Sequence, residues 1–213
     1  MKILALEFSS PLRSVAVAVD GVVRAEAAEQ GGRETHAFKL IDSVLREAGL
    51  AREKVEGIAV GTGPGSYAGI RIAIAIAQGW GLARGVKQAG ISSADCVASQ
   101  VTGPAEGEEF SVVIDAQRGE FFGARYQFAA VGPRLIQPFQ LMAESDWSRA
   151  GEVFFRPDVT MPDGRGGLLL PPTASALVRL ASQRAEQFTD SIIEPIYLRP
   201  AAFIKAPPSR FAF

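Results

Sequence analysis

A run rich in glycine, Gly61-Thr-Gly-Pro-Gly-Ser-Tyr-Ala-Gly-Ile-Arg71, constrains this chain more than any other stretch. It follows a short apolar strand at Gly57 to Val60 and opens a long Ala- and Ile-rich segment. Gly63, Gly65 and Gly69 let the backbone take positive φ or come close to a second backbone. Ser66 is the expected N-cap of a helix over 66–83, its hydroxyl accepting from the first free N–H groups. Such a loop either cradles an anion at the helix N-terminus or lets the helix pack tightly. The choice between the two separates an enzyme from a scaffold.

The helix itself needs an argument. Ile70, Ile72, Ile74 and Ile76 alternate with Arg71, Ala73, Ala75 and Ala77, which fits a strand as written. The capping Ser66, the abundance of Ala and the length of the segment favour a helix instead. Ile70 and Ile74 then share one face and Ile72 and Ile76 the other. A helix apolar all round has to be covered on both sides. Small residues Ala68, Ala75 and Gly79 form a stripe along which another helix can approach closely. The same stripe serves equally well to pack on the chain's own sheet.

Around this centre the pattern reads as mixed α/β. Lys2–Glu7, Ser14–Val19 and Val22–Glu29 are expected strands, with Asp20-Gly21 as a hairpin turn. Glu34 to Ala48 has the helical spacing, stopped by Gly49. A strand over 86–91 and a short helix capped at Ser92 or Ser93 follow. The Gly- and Pro-containing stretch from Val101 to Glu109 reads as a linker, after which the pattern restarts. Strands are expected at 110–114, 120–128, 134–139 and 152–155, and helices at 143–149 and 173–188. Each half thus opens with an antiparallel meander and turns to mixed α/β. The division falls between 1–102 and 103–213.

Several chemistries are excluded or disfavoured by the residues. A phosphate-binding loop of the Walker type requires Lys after the last glycine, where Ser66 and Tyr67 stand. The dinucleotide pattern lacks its acid at the end of the next strand. A nucleophile elbow needs glycine two places to either side of Ser66, where Pro64 and Ala68 stand. His36 is the single histidine, so no Ser-His-Asp triad or two-histidine metal site forms within one chain, and no metal is expected. Cys96, the single cysteine, reads as a buried small hydrophobe and fits a reducing cytoplasm. Glu7 and Asp115 each close a strand that opens one half, a position that serves metal-phosphate chemistry or merely caps a turn. Arg71, Arg118 and Arg125 are either anion ligands or ordinary solvated charges. With 22 Lys and Arg against 23 Asp and Glu, the net charge of −1 supplies no global field for nucleic acid. The N-terminus meets an acid at once, unlike a signal peptide, and no window has the apolar length to span a bilayer.

The run Ile3-Leu-Ala-Leu-Glu-Phe-Ser-Ser10, the helix start Thr35-His-Ala-Phe-Lys-Leu-Ile41 and above all Gly61 to Arg71 resemble the TsaB (YeaZ) family. Asp115-Ala-Gln-Arg-Gly-Glu120 and Glu194-Pro-Ile-Tyr-Leu-Arg199 are similar to further family segments in the same order. The chain departs from the family at Glu7, where Asp is usual, at Phe8 and at Tyr67-Ala68, and the region 145–172 matches poorly. The resemblance implies an α/β, actin-like ATPase (ASKHA, ribonuclease H-like) fold of two related lobes, mixed sheets flanked by helices. It further implies a non-catalytic, cytoplasmic subunit of the machinery that makes N6-threonylcarbamoyladenosine at position 37 of tRNA. In that machinery the catalytic TsaD subunit would dock on helices 34–48 and 66–83, through His36, Leu40, Ala68, Ile72, Ala75 and Gly79. A TsaE-like ATPase joins the assembly, the chain forms a homodimer when alone, and tRNA is met only through the complex. Glu7, Ser9, Ser10 and Asp115 would line a vestigial nucleotide cleft, with no cofactor beyond weak ATP or ADP binding. Gly63, Pro64, Gly65, Ser66, Gly69 and Arg71 would form the structural loop. The rival reading is a nucleotide-dependent actin-like kinase or ATPase that uses Glu7 and Asp115.

Overall fold

A computed structural model describes residues 1–31, 35–103, 105–117, 120–143, 154–156 and 168–198. The first sheet is built from β1 (Lys2–Glu7), β2 (Leu12–Val19), β3 (Val22–Gln30), β4 (Gly57–Gly61) and β5 (Lys87–Ile91) in the order β3-β2-β1-β4-β5. β1, β2 and β3 form an antiparallel meander, and β4 and β5 add in parallel on the other side of β1. The β2–β3 turn is the expected Asp20-Gly21, both residues at positive φ. The second sheet contains β6 (Glu109–Gln117), β7 (Glu120–Gln127), β8 (Arg134–Ala143), β9 (Phe154–Arg156) and β10 (Leu168–Leu169), in the order β10-β9-β6-β7-β8. Its meander and its parallel additions repeat those of the first sheet strand for strand. The weak architectural repeat of the sequence is therefore a true duplication of topology.

Alternation along β1 sorts the first sheet's side chains to two faces. Leu4, Leu6 and Phe8 meet α1 (Ala37–Glu47) and α2 (Tyr67–Arg84). Ile3 and Ala5 point the other way, with Ala16, Ala18, Ala59 and Ala89, onto α4 (Ala174–Gln183). Alanine on four of the five strands lets α4 lie close to the sheet, and Leu177 and Val178 fill what remains. The short α3 (Ser93–Ala98) goes the opposite way: Ala94, Val97 and Ala98 pack with Phe110, Val112, Ile114 and Tyr126 of the second sheet. The last described helix of each half thus covers the sheet of the other half. The chain after α4 stays with the first sheet too, since Thr189 pairs with Gln88 and Ile193 enters its core. A boundary near 102 divides the sheets but not the helical layers.

Most elements fall where their spacing puts them, with shifts at the ends. The helix expected over 34–48 runs Ala37–Glu47, residues 32–34 lying outside the described set, and Gly49 ends it at φ 61°. The helix expected over 66–83 is α2, capped by Ser66, whose hydroxyl accepts from the Gly69 N–H, and stopped by Gly85 at φ 65°. The strand alternation of its isoleucines gives way to the cap and to the alanines, which lose no side-chain entropy in a helix. Two expectations are corrected. Ala143 ends the long strand β8 rather than starting a helix, and 144–150 are outside the described residues. The helix expected over 173–188 stops at Gln183, where Arg184 turns to φ −118° and ψ 48°, and a 3-10 turn over Ala185–Gln187 follows. Among the described residues no helix is long and apolar enough to cross a membrane.

Because α4 supplies one whole layer of the first lobe, damage to it should be felt globally. Leu177 is fully buried. Leu177→Ala is expected to lower the free energy of unfolding by about 2–5 kcal/mol, read as a shift in the urea midpoint. The first and second sheets should lose structure together.

Candidate functional site

Four segments converge where β1 ends: the Phe8–Pro11 turn, the Gly61–Gly69 loop, the start of α3 and Arg13 of β2. Glu7 is at their centre and is fully buried. Its Oε1 accepts from the Ser9 N–H at 2.8 Å and its Oε2 accepts from the Ser93 hydroxyl at 3.0 Å. Ser93 in turn accepts from the Gly63 N–H at 3.1 Å, and its own N–H donates to the Gly63 carbonyl. A Cβ at Gly61 would overlap the Glu7 carboxylate. Burial raises the Glu7 pKa, opposed by the hydrogen bonds from Ser9 and Ser93 and by the charge of Arg13.

The glycine loop closes on the β1–β2 turn rather than on an open space. Ser66 N–H donates to the Ser9 carbonyl at 2.6 Å. A side chain at Gly65, where φ is 150°, would collide with that carbonyl, and one at Gly69 with the Phe8 carbonyl and the Arg13 guanidinium. Arg13 Nη2 donates to Ser66 Oγ at 2.9 Å, while its Nε and Nη1 are buried without a partner. Ser9 Oγ is likewise buried and unpartnered, and Ser10 Oγ is turned to the Leu12 carbonyl. Next to the loop remains an apolar pocket of about 150 Å³. Its walls include Pro64, Gly65, Phe122 and Tyr197, and the segment carrying Tyr197 is tied down by the Ile196 N–H on the Thr62 carbonyl.

Of the candidate cleft residues, then, Glu7, Ser9 and Ser10 come together and are sealed in. Asp115 occupies the matching place near the end of β6 but is exposed, and Arg118 lies outside the described residues. Arg125 donates to Glu109 at 2.7 Å on the second sheet. Among the described residues no group of three His, Cys, Asp or Glu side chains gathers as metal ligands. Cys96 is buried, and burial pushes its thiol well above the ordinary range, so it is the packed hydrophobe its surroundings suggest.

The other candidate set lies on the helices. On α2, Ile70, Ala73, Ile74, Ile76 and Ala77 are buried against the sheet, while Ala68, Arg71, Ile72, Ala75, Gly79 and Leu82 are exposed. Ile76 thus joins Ile70 and Ile74, and Ile72 is left facing out. Tyr67 is also exposed, with Arg71 over its ring at 5.1 Å and Tyr197 at 6.4 Å between centroids. His36 precedes α1 with Nδ1 3.2 Å from Glu29 Oε2 and is about half exposed. Leu40 is corrected: it points into the core with Ala37, Ile41, Val44 and Leu45. The neighbour that faces out is Phe38, at 62% exposure. Arg13, Ser93 and Tyr197 were not among the sequence candidates. Only the charge of Arg13 in an otherwise apolar strand signalled one of them.

Two sheets of one topology, each covered by a helix from the other half, define the actin-like ATPase fold with two related lobes. Residues 8–199 match the family model described as TsaD: tRNA N6-adenosine threonylcarbamoyltransferase. The chain is 29% identical over 220 residues to the tRNA threonylcarbamoyladenosine biosynthesis protein TsaB of Escherichia coli, covering 93% of this chain and 95% of that one. It is 27% identical over 153 residues to the TsaB of Bacillus subtilis, covering 69% of this chain and 64% of that one. The solved structure of YeaZ from Pseudomonas aeruginosa superposes with a TM-score of 0.74 at 25% identity, over 92% of this chain and 99% of that one. The chain belongs to this family, on its TsaB (YeaZ) branch.

The buried Glu7 makes a signed prediction. Its folded-state pKa is raised, so between the ordinary carboxyl value and the raised one the native state holds more protons than the unfolded state. Stability therefore falls as pH rises through that window. Glu7→Gln keeps an acceptor for the Ser9 N–H and removes the titration. In urea melts from about pH 5 to about pH 8, the variant should lack this component of the fall and equal or exceed the parent at the upper end. A parent whose stability climbs steadily across the range would sink this account.

Proposed function

We propose that this chain is a non-catalytic scaffold in the synthesis of N6-threonylcarbamoyladenosine on tRNA, a cytoplasmic subunit that docks a TsaD-type catalytic partner. The observation that carries the reading is the outer face of α2. Ile72 and Leu82 are exposed among Ala68, Ala75 and Gly79, and a Cβ at Gly79 would meet nothing within 4 Å. Small residues permit a second helix to approach to the short end of the usual interaxial range, about 8–10 Å. Tyr67 and Arg71 at the head of the same helix are the residue types that dominate interface energetics. Alone, the chain would cover this face with a second copy, so homodimer and heterodimer compete. A TsaE-like ATPase joins the assembly, and tRNA is met through the complex, in keeping with a net charge of −1. The names of the TsaB relatives support the pathway assignment.

The rival, a kinase or ATPase using Glu7 and Asp115, meets two physical obstacles. Both oxygens of Glu7 are engaged inside the protein. The pocket beside the glycine loop, about 150 Å³ and largely apolar, falls short of the roughly 300–1,000 Å³ that ligand sites occupy.

Two measurements separate the readings. Ala75→Arg puts a long charged side chain on the outer face of α2 without touching the core. It should abolish co-elution with the TsaD-type partner and the homodimer together while leaving the monomer folded by circular dichroism, as surface changes do. Wild-type co-elution of this variant would exclude α2 as the docking face. Titration of ATP with Mg²⁺ into the isolated chain should give no saturable heat. Micromolar binding with turnover, lost in Glu7→Gln, would transfer the assignment to the rival.

A further inference from the structure

A cavity of about 600 Å³ lies away from the glycine loop, between α3, α4 and the turn joining β7 to β8. Its walls come from both halves: α4 is seated on the first sheet, and the β7–β8 turn belongs to the second. Its ionisable lining is Asp95, Tyr126, Arg179 and Arg184. Asp95 is fully committed. Its Oδ1 accepts from the Tyr126 hydroxyl at 3.0 Å and its Oδ2 lies 3.2 Å from Arg184 Nη1. Burial and the Asp95 charge push the Tyr126 pKa up, so the phenol stays a hydrogen-bond donor.

This arrangement fixes Arg184 in place and leaves its other N–H groups without a hydrogen bond among the described residues. Arg179 is exposed and has neither ion pair nor hydrogen bond among the described residues. Two guanidinium groups against one carboxylate leave the cavity one positive charge in excess. The opposite lip is apolar: Val131 is fully exposed, Leu135 is 47% exposed, and Leu180 is half-buried beside them. A guanidinium fork matches the oxygens of a carboxylate or phosphate, and one already clamped by a neighbouring acid loses little freedom on binding.

We propose that this cavity binds a small organic anion, a carboxylate or phosphate ester with an apolar or planar body. Its anionic end lies on Arg179 and Arg184 and its body on Val131, Leu135 and Leu180. Because the site is walled by elements seated on both sheets, an occupant braces the two lobes against each other. The proposal is independent of the docking face on α2 and stands or falls without it.

Phenyl phosphate, benzoate and benzyl alcohol are suitable probes, titrated into the ¹⁵N-labelled full chain. The two anions should shift the amides of 95–102, 131–135 and 179–184 saturably, and benzyl alcohol should not. Arg179→Gln should weaken the anions about tenfold or more, the scale of one charge-assisted hydrogen bond, and Arg24→Gln, exposed on β3, should leave them unchanged. Arg184→Gln would strand Asp95, so Leu135→Asp is the second test. It places a negative charge on the apolar lip and should weaken both anions while the amide spectrum elsewhere stays folded. Equal binding of benzyl alcohol would reduce the site to an apolar groove and overturn the proposal. So would anion binding indifferent to Arg179→Gln, shifts centred elsewhere, or no saturable shift with either anion.

Discussion

A single buried carboxylate holds the two lobes of this chain in register. Glu7 ends β1, and its two oxygens bind the turn that follows β1 and the first residue of α3. Through Ser93 the same node reaches the Gly63 N–H, so the glycine loop is fixed by the same group. Since α3 packs on the second sheet, a constraint at the end of the first strand of lobe one propagates to lobe two. A buried acid without such partners would be expensive, and the hydrogen bonds from Ser9 and Ser93 are what make it tolerable. Glu7 is turned to the protein's own groups, the Ser9 N–H and the Ser93 hydroxyl.

The glycines follow from that constraint. Gly61 is glycine because the Glu7 carboxylate occupies the space of its side chain, and Gly65 and Gly69 because the carbonyls of Ser9 and Phe8 occupy theirs. A loop that looks made to wrap phosphate has its backbone filled by another backbone. The tight closure also sets the direction in which α2 leaves the loop, with Arg13 hydrogen-bonded to the capping Ser66. Burial pulls the Arg13 guanidinium down from its usual range, opposed by the charges of Glu7 and Glu29. Its two unpartnered nitrogens make it the least satisfied charge of the junction.

Much of this was legible in the residues. Ser66, Gly49 and the Asp20-Gly21 pair marked element ends because capping and turn chemistry are local. The repeat of two meanders was visible as hydrophobic patterning, since each strand's alternation records only its own faces. Which sheet each helix covers was not visible. α4 crosses back to the first sheet because alanines at 5, 16, 18, 59 and 89 leave room for it, and that fit exists only once five strands stand side by side. Leu40 shows the opposite error. Its spacing with Ala37, Ile41 and Val44 already placed it on the inner face of α1, and a family resemblance drew it outward. Glu7 was singled out for chemistry because its position was right, while its burial depends on Ser93, far away in sequence.

The same physics explains why a sealed cleft and an open helix face belong together. Here the lobes are bridged internally by Glu7, Ser93 and the exchanged helices, and the segment around Ile196 and Tyr197 closes over the glycine loop. With the interior satisfied, α2 still presents apolar side chains outward, Ile72 and Leu82 at 39% and 91% exposure. Burying such side chains is worth about 1.5–3 kcal/mol each, a gain the isolated chain does not realise. On a helix whose alanines and glycine leave room for a neighbour, that is the gain from which the proposed association would draw.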